Sequence, residues 1–106
     1  MSVIVTLRLE GDPAKIEEFA AANPDTMAGI VEKAKKHGLI AHRFLGADGG
    51  KLMVTDEWPD AESFQAFFGE TLEEIQGMMG GVGISPAGDP EFWRVLDTHD
   101  KYGWDN

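Results

Sequence analysis

Between Leu39 and Trp58 apolar and polar residues alternate in two short runs, interrupted by Ala47-Asp48-Gly49-Gly50. Alternation sends successive side chains to opposite faces of a strand, and Asp-Gly between two such runs marks a hairpin, because its turn needs residues that tolerate positive φ. No other feature constrains the chain as strongly, since it demands an antiparallel strand pair. With Asp48-Gly49 as a two-residue turn, His42 is expected opposite Thr55 and Arg43 opposite Val54. One face then carries Leu39, Ala41, Arg43, Leu45, Leu52, Val54, Asp56 and Trp58. The other carries Ile40, His42, Phe44, Met53, Thr55 and Glu57.

The flanking segments supply the partners such a hairpin needs. Val3, Val5, Leu7 and Leu9 alternate with Ile4, Thr6, Arg8 and Glu10, a strand with one fully apolar face. Asp12-Pro13 opens a short helix with Ile16, Phe19 and Ala20 on its buried side, and Asn23-Pro24 opens a second that runs to Lys35-Lys36-His37-Gly38. After the hairpin, Pro59-Asp60 starts a helix whose Phe64, Phe67 and Phe68 form an apolar stripe ending near Gly69. Thr71-x-x-Glu74 reads as the capping box of a further short helix, Gly77 to Pro90 as a mobile loop with Met78 and Met79 beside it, and Phe92 to Thr98 as the last strand. Asp100 to Asn106 is a polar tail retaining Tyr102 and Trp104.

The order strand, helix, strand, strand, helix, strand predicts an α+β, ferredoxin-like βαββαβ domain spanning residues 1–106. Its first and third strands lie centrally in a four-stranded antiparallel sheet, with the helices on one face. The bare face is too apolar for water, so a homodimer through it is expected.

Charge narrows the partners. Nineteen carboxylates against nine Lys+Arg give a net charge of −10, which disfavours nucleic acid and anionic membranes. Leu52 to Ile75 carries −7 with no basic residue, an outer helical face. Without cysteine there is no thiolate chemistry, and the three histidines, His37, His42 and His99, show no metal-ligand spacing, so no metal site is expected. Gly80-Gly81-x-Gly83 lacks the lysine and preceding strand of a phosphate loop. With neither a membrane-length apolar run nor a basic leader, a cytoplasmic location is expected.

The stretch Ala41-His42-Arg43-Phe44 through Asp56-Glu57-Trp58-Pro59-Asp60-Ala61-Glu62-Ser63-Phe64 resembles the dimeric α/β-barrel superfamily, in particular its antibiotic-biosynthesis-monooxygenase-like members. There a strand ending in an acidic residue and Trp runs directly into an amphipathic helix. The similarity in layout covers Val3 to Thr98 and implies a dimeric barrel with an apolar pocket for a small aromatic or polyketide-like molecule. It also implies an activity, cofactor-independent monooxygenation, in which the substrate anion supplies electrons to oxygen and no cofactor is expected. Haem-degrading members carry an Asn on the first strand and a His on the second helix. Here Thr6 and Leu7 occupy that strand and no His lies between Pro59 and Pro90, so haem degradation is not expected.

Two residue sets can line such a pocket. In the first, His42 acts as acid-base catalyst oriented by Glu57 diagonally across the hairpin, with Thr6, Arg8, Phe44, Thr55 and Arg94 binding substrate. In the second, with the faces reversed, Arg43, Asp56 and Trp58 line it. Against both stands a plainer reading: His42 and Glu57 as a cross-strand pair at a dimer seam, the arginines bound to neighbouring carboxylates, and a non-catalytic binder or structural dimer. An enclosed cavity lined by His42, or by Arg43 and Asp56, distinguishes a ligand-binding protein from a sheet face that merely makes a dimer.

Overall fold

A computed structural model describes residues 2–103. The elements run β1 (Val3–Glu10), α1 (Pro13–Ala22), α2 (Pro24–Lys36), β2 (Ala41–Ala47), β3 (Lys51–Trp58), α3 (Ala61–Gly81), β4 (Ser85–Pro86) and β5 (Glu91–Arg94). The sheet is antiparallel, in the order β2-β3-β1, with β4 and β5 both paired to the far side of β1. The expected central strands are therefore central. The last strand, expected over Phe92 to Thr98, runs from Glu91 to Arg94 and pairs with Thr6 to Val3, while a further two-residue strand, Ser85–Pro86, lies inside the expected Gly77 to Pro90 loop and pairs with Glu10 and Leu9.

The hairpin differs from expectation by one residue. Ala47 pairs with Lys51, so the turn has three residues, Asp48-Gly49-Gly50, with Gly49 at φ +85° and Gly50 at +73°. Both conformations favour glycine. The consequence is large, since side-chain direction alternates along a strand and a one-residue shift reverses the faces of one strand against the other. His42 lies opposite Asp56, Arg43 opposite Thr55 and Phe44 opposite Val54. The helix-side face thus holds His42, Phe44, Leu52, Val54, Asp56 and Trp58 beside Val3, Val5, Leu7 and Leu9. Arg43, Leu45, Met53, Thr55 and Glu57 join Ile4, Thr6 and Arg8 on the open face.

The three helices among the described residues cover one side of the sheet. Asp12 caps α1 through the Ala14 amide at 3.0 Å and Asp60 caps α3 through the Ser63 amide at 2.8 Å. Hydrogen bonds from the Ser63 side chain and then its amide hold the Asp60 carboxyl below its usual range, so this cap is intact at neutral pH and is lost only as pH falls through that lowered value. Asn23 makes no side-chain cap to α2; its side-chain amide donates to the Phe19 carbonyl.

The helix after the hairpin does not stop at Gly69. It continues to Gly81 because Phe64, Phe67, Phe68, Thr71, Ile75 and Met79 keep one helical stripe on the core side. Thr71 is not an N-cap but an interior residue, buried, its hydroxyl donating back to the Phe67 carbonyl at 2.9 Å. One core cluster unites Val5, Ala34, Trp58, Phe64 and Phe67; a second unites Leu9, Ile16, Leu52, Val54 and Ile84. The carboxylates Glu62, Glu70, Glu73 and Glu74 are exposed on α3, and the Lys33–Glu74 ion pair at 2.9 Å and the His37–Glu70 hydrogen bond at 2.8 Å tie α2 and its C-cap to α3. No helix among the described residues is long and apolar enough to cross a membrane.

Candidate active site

Between the sheet and helices α2 and α3 lies a pocket of about 400 Å³. Its floor is Leu7, His42, Phe44, Val54 and Asp56; Met27, Ile30 and Val31 of α2 form one wall, and Phe64, Phe67, Phe68, Ile75, Met78 and Met79 of α3 the other. Helical spacing puts those residues on the inward faces of α2 and α3, and the alternation of β2 and β3 brings His42 and Asp56 up beneath them. The volume falls within the range of small-molecule sites, about 300–1,000 Å³, and the lining is almost wholly apolar.

Among the described residues, the ionisable ones that reach this pocket are Glu32, His42 and Asp56. Glu32 is paired with Lys35 at 3.2 Å. His42 Nδ1 lies 2.7 Å from Asp56 Oδ1, and the second carboxylate oxygen accepts from the Trp58 indole N–H at 3.1 Å. Asp56 is 6% exposed, whereas the His42 side chain is 28% exposed. An ionised Asp56 requires a proton on Nδ1, which makes Nε2 the basic nitrogen of a neutral ring. The Phe44 ring stands edge-on to the imidazole, with centroids 5.5 Å apart. This arrangement can take a proton from a ligand hydroxyl and hold the resulting imidazolium against a buried carboxylate.

The structure brings together residues from both sequence-derived sets and separates members of each. His42 and Phe44 meet Asp56 on the pocket floor, with Trp58 buried beside the carboxylate. Glu57 is on the opposite face, where its carboxylate accepts from the Ser2 hydroxyl at 2.6 Å, so it does not orient His42. Thr6, Arg8, Arg43 and Thr55 also face away from this pocket. Arg8 pairs with Glu91 at 3.2 Å, and Thr6 Oγ1 accepts from the Trp93 indole at 2.9 Å. Arg94 lies opposite Val3 and shares the helix-side parity, at the end of the sheet and outside the pocket. Trp104 lies outside the described residues. Met27, Ile30, Val31 and Ile75 read as ordinary core from helical spacing alone; only the space left between the two helices makes them pocket walls. Met78 and Met79 are wall residues on a helix, not part of a loop.

No family model matches the sequence, and no curated protein matches it. Solved structures do. SnoaB, a cofactor-independent oxygenase from Streptomyces nogalater, is 14% identical and superposes with a TM-score of 0.64 over 94% of this chain and 98% of its own. A dimeric ferredoxin-like protein from an uncultured marine organism is 17% identical, TM-score 0.64, over 92% of this chain and 98% of its own. A Caulobacter crescentus protein provisionally classed as an antibiotic biosynthesis monooxygenase is 18% identical, TM-score 0.60, over 91% of each chain. The fold is therefore the one shared by dimeric ferredoxin-like proteins and antibiotic-biosynthesis-monooxygenase-like proteins, as the resemblance in the hairpin implies.

Proposed function

We propose that the protein binds a small, electron-rich aromatic or polyketide-like molecule in the pocket between sheet and helices and acts on it as a cofactor-independent monooxygenase. The observation that carries this reading is the His42–Asp56 pair, 2.7 Å apart, on the floor of an otherwise apolar cavity. Nε2 of His42 removes the proton of a phenol or enol, Asp56 stabilises the imidazolium, and the apolar walls exclude water from the anion. The anion reduces dioxygen. For an anthrone, one oxygen atom ends in the new carbonyl, and the other leaves as water with the two hydrogens of the oxidised carbon. Likeness in fold to SnoaB, a cofactor-independent oxygenase, supports this chemistry.

The same reading assigns the open sheet face to a second copy of the chain. Leu45 and Trp93 are 44% and 51% exposed on that face, and a second copy seated there would cover both. Sedimentation velocity at micromolar concentration is expected to give twice the chain mass, and a monomeric mass contradicts the assignment.

Oxygen uptake with hydroxyquinols or anthrones, in buffer freed of metal, flavin and nicotinamide, tests the activity. Uptake above the no-protein rate is expected. A rate equal to the control, together with saturable binding of the same compounds, points to a non-catalytic binder instead.

A further inference from the structure

We infer that Trp58 is a positioning residue: its indole N–H fixes the Asp56 carboxylate so that His42 keeps its proton on Nδ1 and offers Nε2 to the pocket. This rests on the proposed role of His42 as the base.

Asp56 and Trp58 are two apart on β3, so both side chains project to the helix side, and the indole folds back along the strand to donate to Oδ2 at 3.1 Å. The other oxygen meets His42 at 2.7 Å. Each carboxylate oxygen thus has its own donor, which sets the plane of the group and leaves Oδ1 aimed at Nδ1. Trp58 is held in turn. It is 0% exposed, with ring centroids of Phe64 and Phe67 at 5.8 and 5.4 Å, so the N–H has no route to water and the indole cannot swing away. His42, by contrast, lies on the sheet edge and is partly exposed, so its orientation depends on the carboxylate beneath it. The aromatic core under α3 therefore acts on the base through two hydrogen bonds. Around His42 the other groups are Phe44 on its own strand and Glu32 across the pocket from α2, the latter paired with Lys35; the α3 residues lining the pocket carry no titratable group.

The test is a pH titration of the full chain by NMR, following the His42 ring and the Trp58 indole N–H. In the unaltered protein the indole resonance is expected to move with the midpoint of His42, because both contact one carboxylate, and Asp56→Asn is expected to abolish that shared midpoint. Trp58→Phe keeps an aromatic ring but removes the donor, concentrating charge on Oδ1. It is expected to raise the His42 midpoint and to lower kcat for oxygen uptake roughly tenfold with KM unchanged. An indole resonance that ignores the His42 titration overturns the inference, as does a folded Trp58→Phe protein whose His42 midpoint is unmoved. If Trp58→Phe fails to fold, the titration of the unaltered protein decides. Shared titration without oxygen uptake supports the positioning role and contradicts the oxygenase reading, so the two fail separately.

Discussion

His42→Ala is expected to lower the rate of oxygen uptake by about 100- to 10,000-fold, the range general base catalysis supplies. The substitution removes the one basic nitrogen on the pocket floor and leaves Asp56, whose second oxygen is occupied by Trp58, without a proton relay to the ligand. Binding should suffer less than turnover, because the walls from α2 and α3 are untouched. The fold should persist as well. His42 is a partly exposed edge-strand residue, and the cost is that of one lost partner for a buried carboxylate, about 1–3 kcal/mol. A variant that binds substrate but turns it over slowly, with partial recovery on adding free imidazole, is the expected pattern; an unchanged rate removes His42 from the mechanism.

Trp58→Ala is expected to cost about 3–5 kcal/mol of unfolding free energy, read from urea denaturation. Trp58 is fully buried between Val5, Phe64 and Phe67, so truncation opens a cavity that the sheet and α3 close only in part. It also strips Asp56 of one of its two donors while leaving the carboxylate 6% exposed. Against a total stability of about 5–15 kcal/mol for an ordinary domain, that is a large share. Trp93→Ala serves as the contrast. That indole is half exposed on the open face, and the cost in an isolated subunit is expected to stay near or below about 1 kcal/mol. A loss below about 1 kcal/mol for Trp58→Ala contradicts the placement of the indole in the core.

The architecture is legible in the sequence because it rests on patterns that survive small errors. Alternation at Val3 to Leu9, the cap Asp12-Pro13 and the Phe64–Phe67–Phe68 stripe each specify an element and its buried side without reference to the rest of the chain. The site is less legible because it depends on register. Asp48-Gly49 and Asp48-Gly49-Gly50 are equally acceptable turns from local chemistry, and the choice between them decides whether His42 shares a face with Glu57 or with Asp56. Glycine at both 49 and 50, each at positive φ, is the trace that the three-residue turn leaves in the sequence. The same ambiguity explains why one pocket set contained His42 and the other Asp56 and Trp58. Thr71 shows the converse failure, a local capping signal overridden by tertiary packing of a stripe that runs through it.

On the function proposed above, the ligand enters between the sheet and α2/α3 and meets His42 there, instead of occupying the open sheet face. Methionine methyl groups report on both locations: Met27, Met78 and Met79 line the pocket, whereas Met53 lies on the open face. With labelled methionine methyls, an anaerobic titration with an anthrone or hydroxyquinol is expected to shift the Met27, Met78 and Met79 resonances together with the His42 ring and to leave Met53 in place. Shifts at Met53 with the three pocket methionines unmoved would contradict the account.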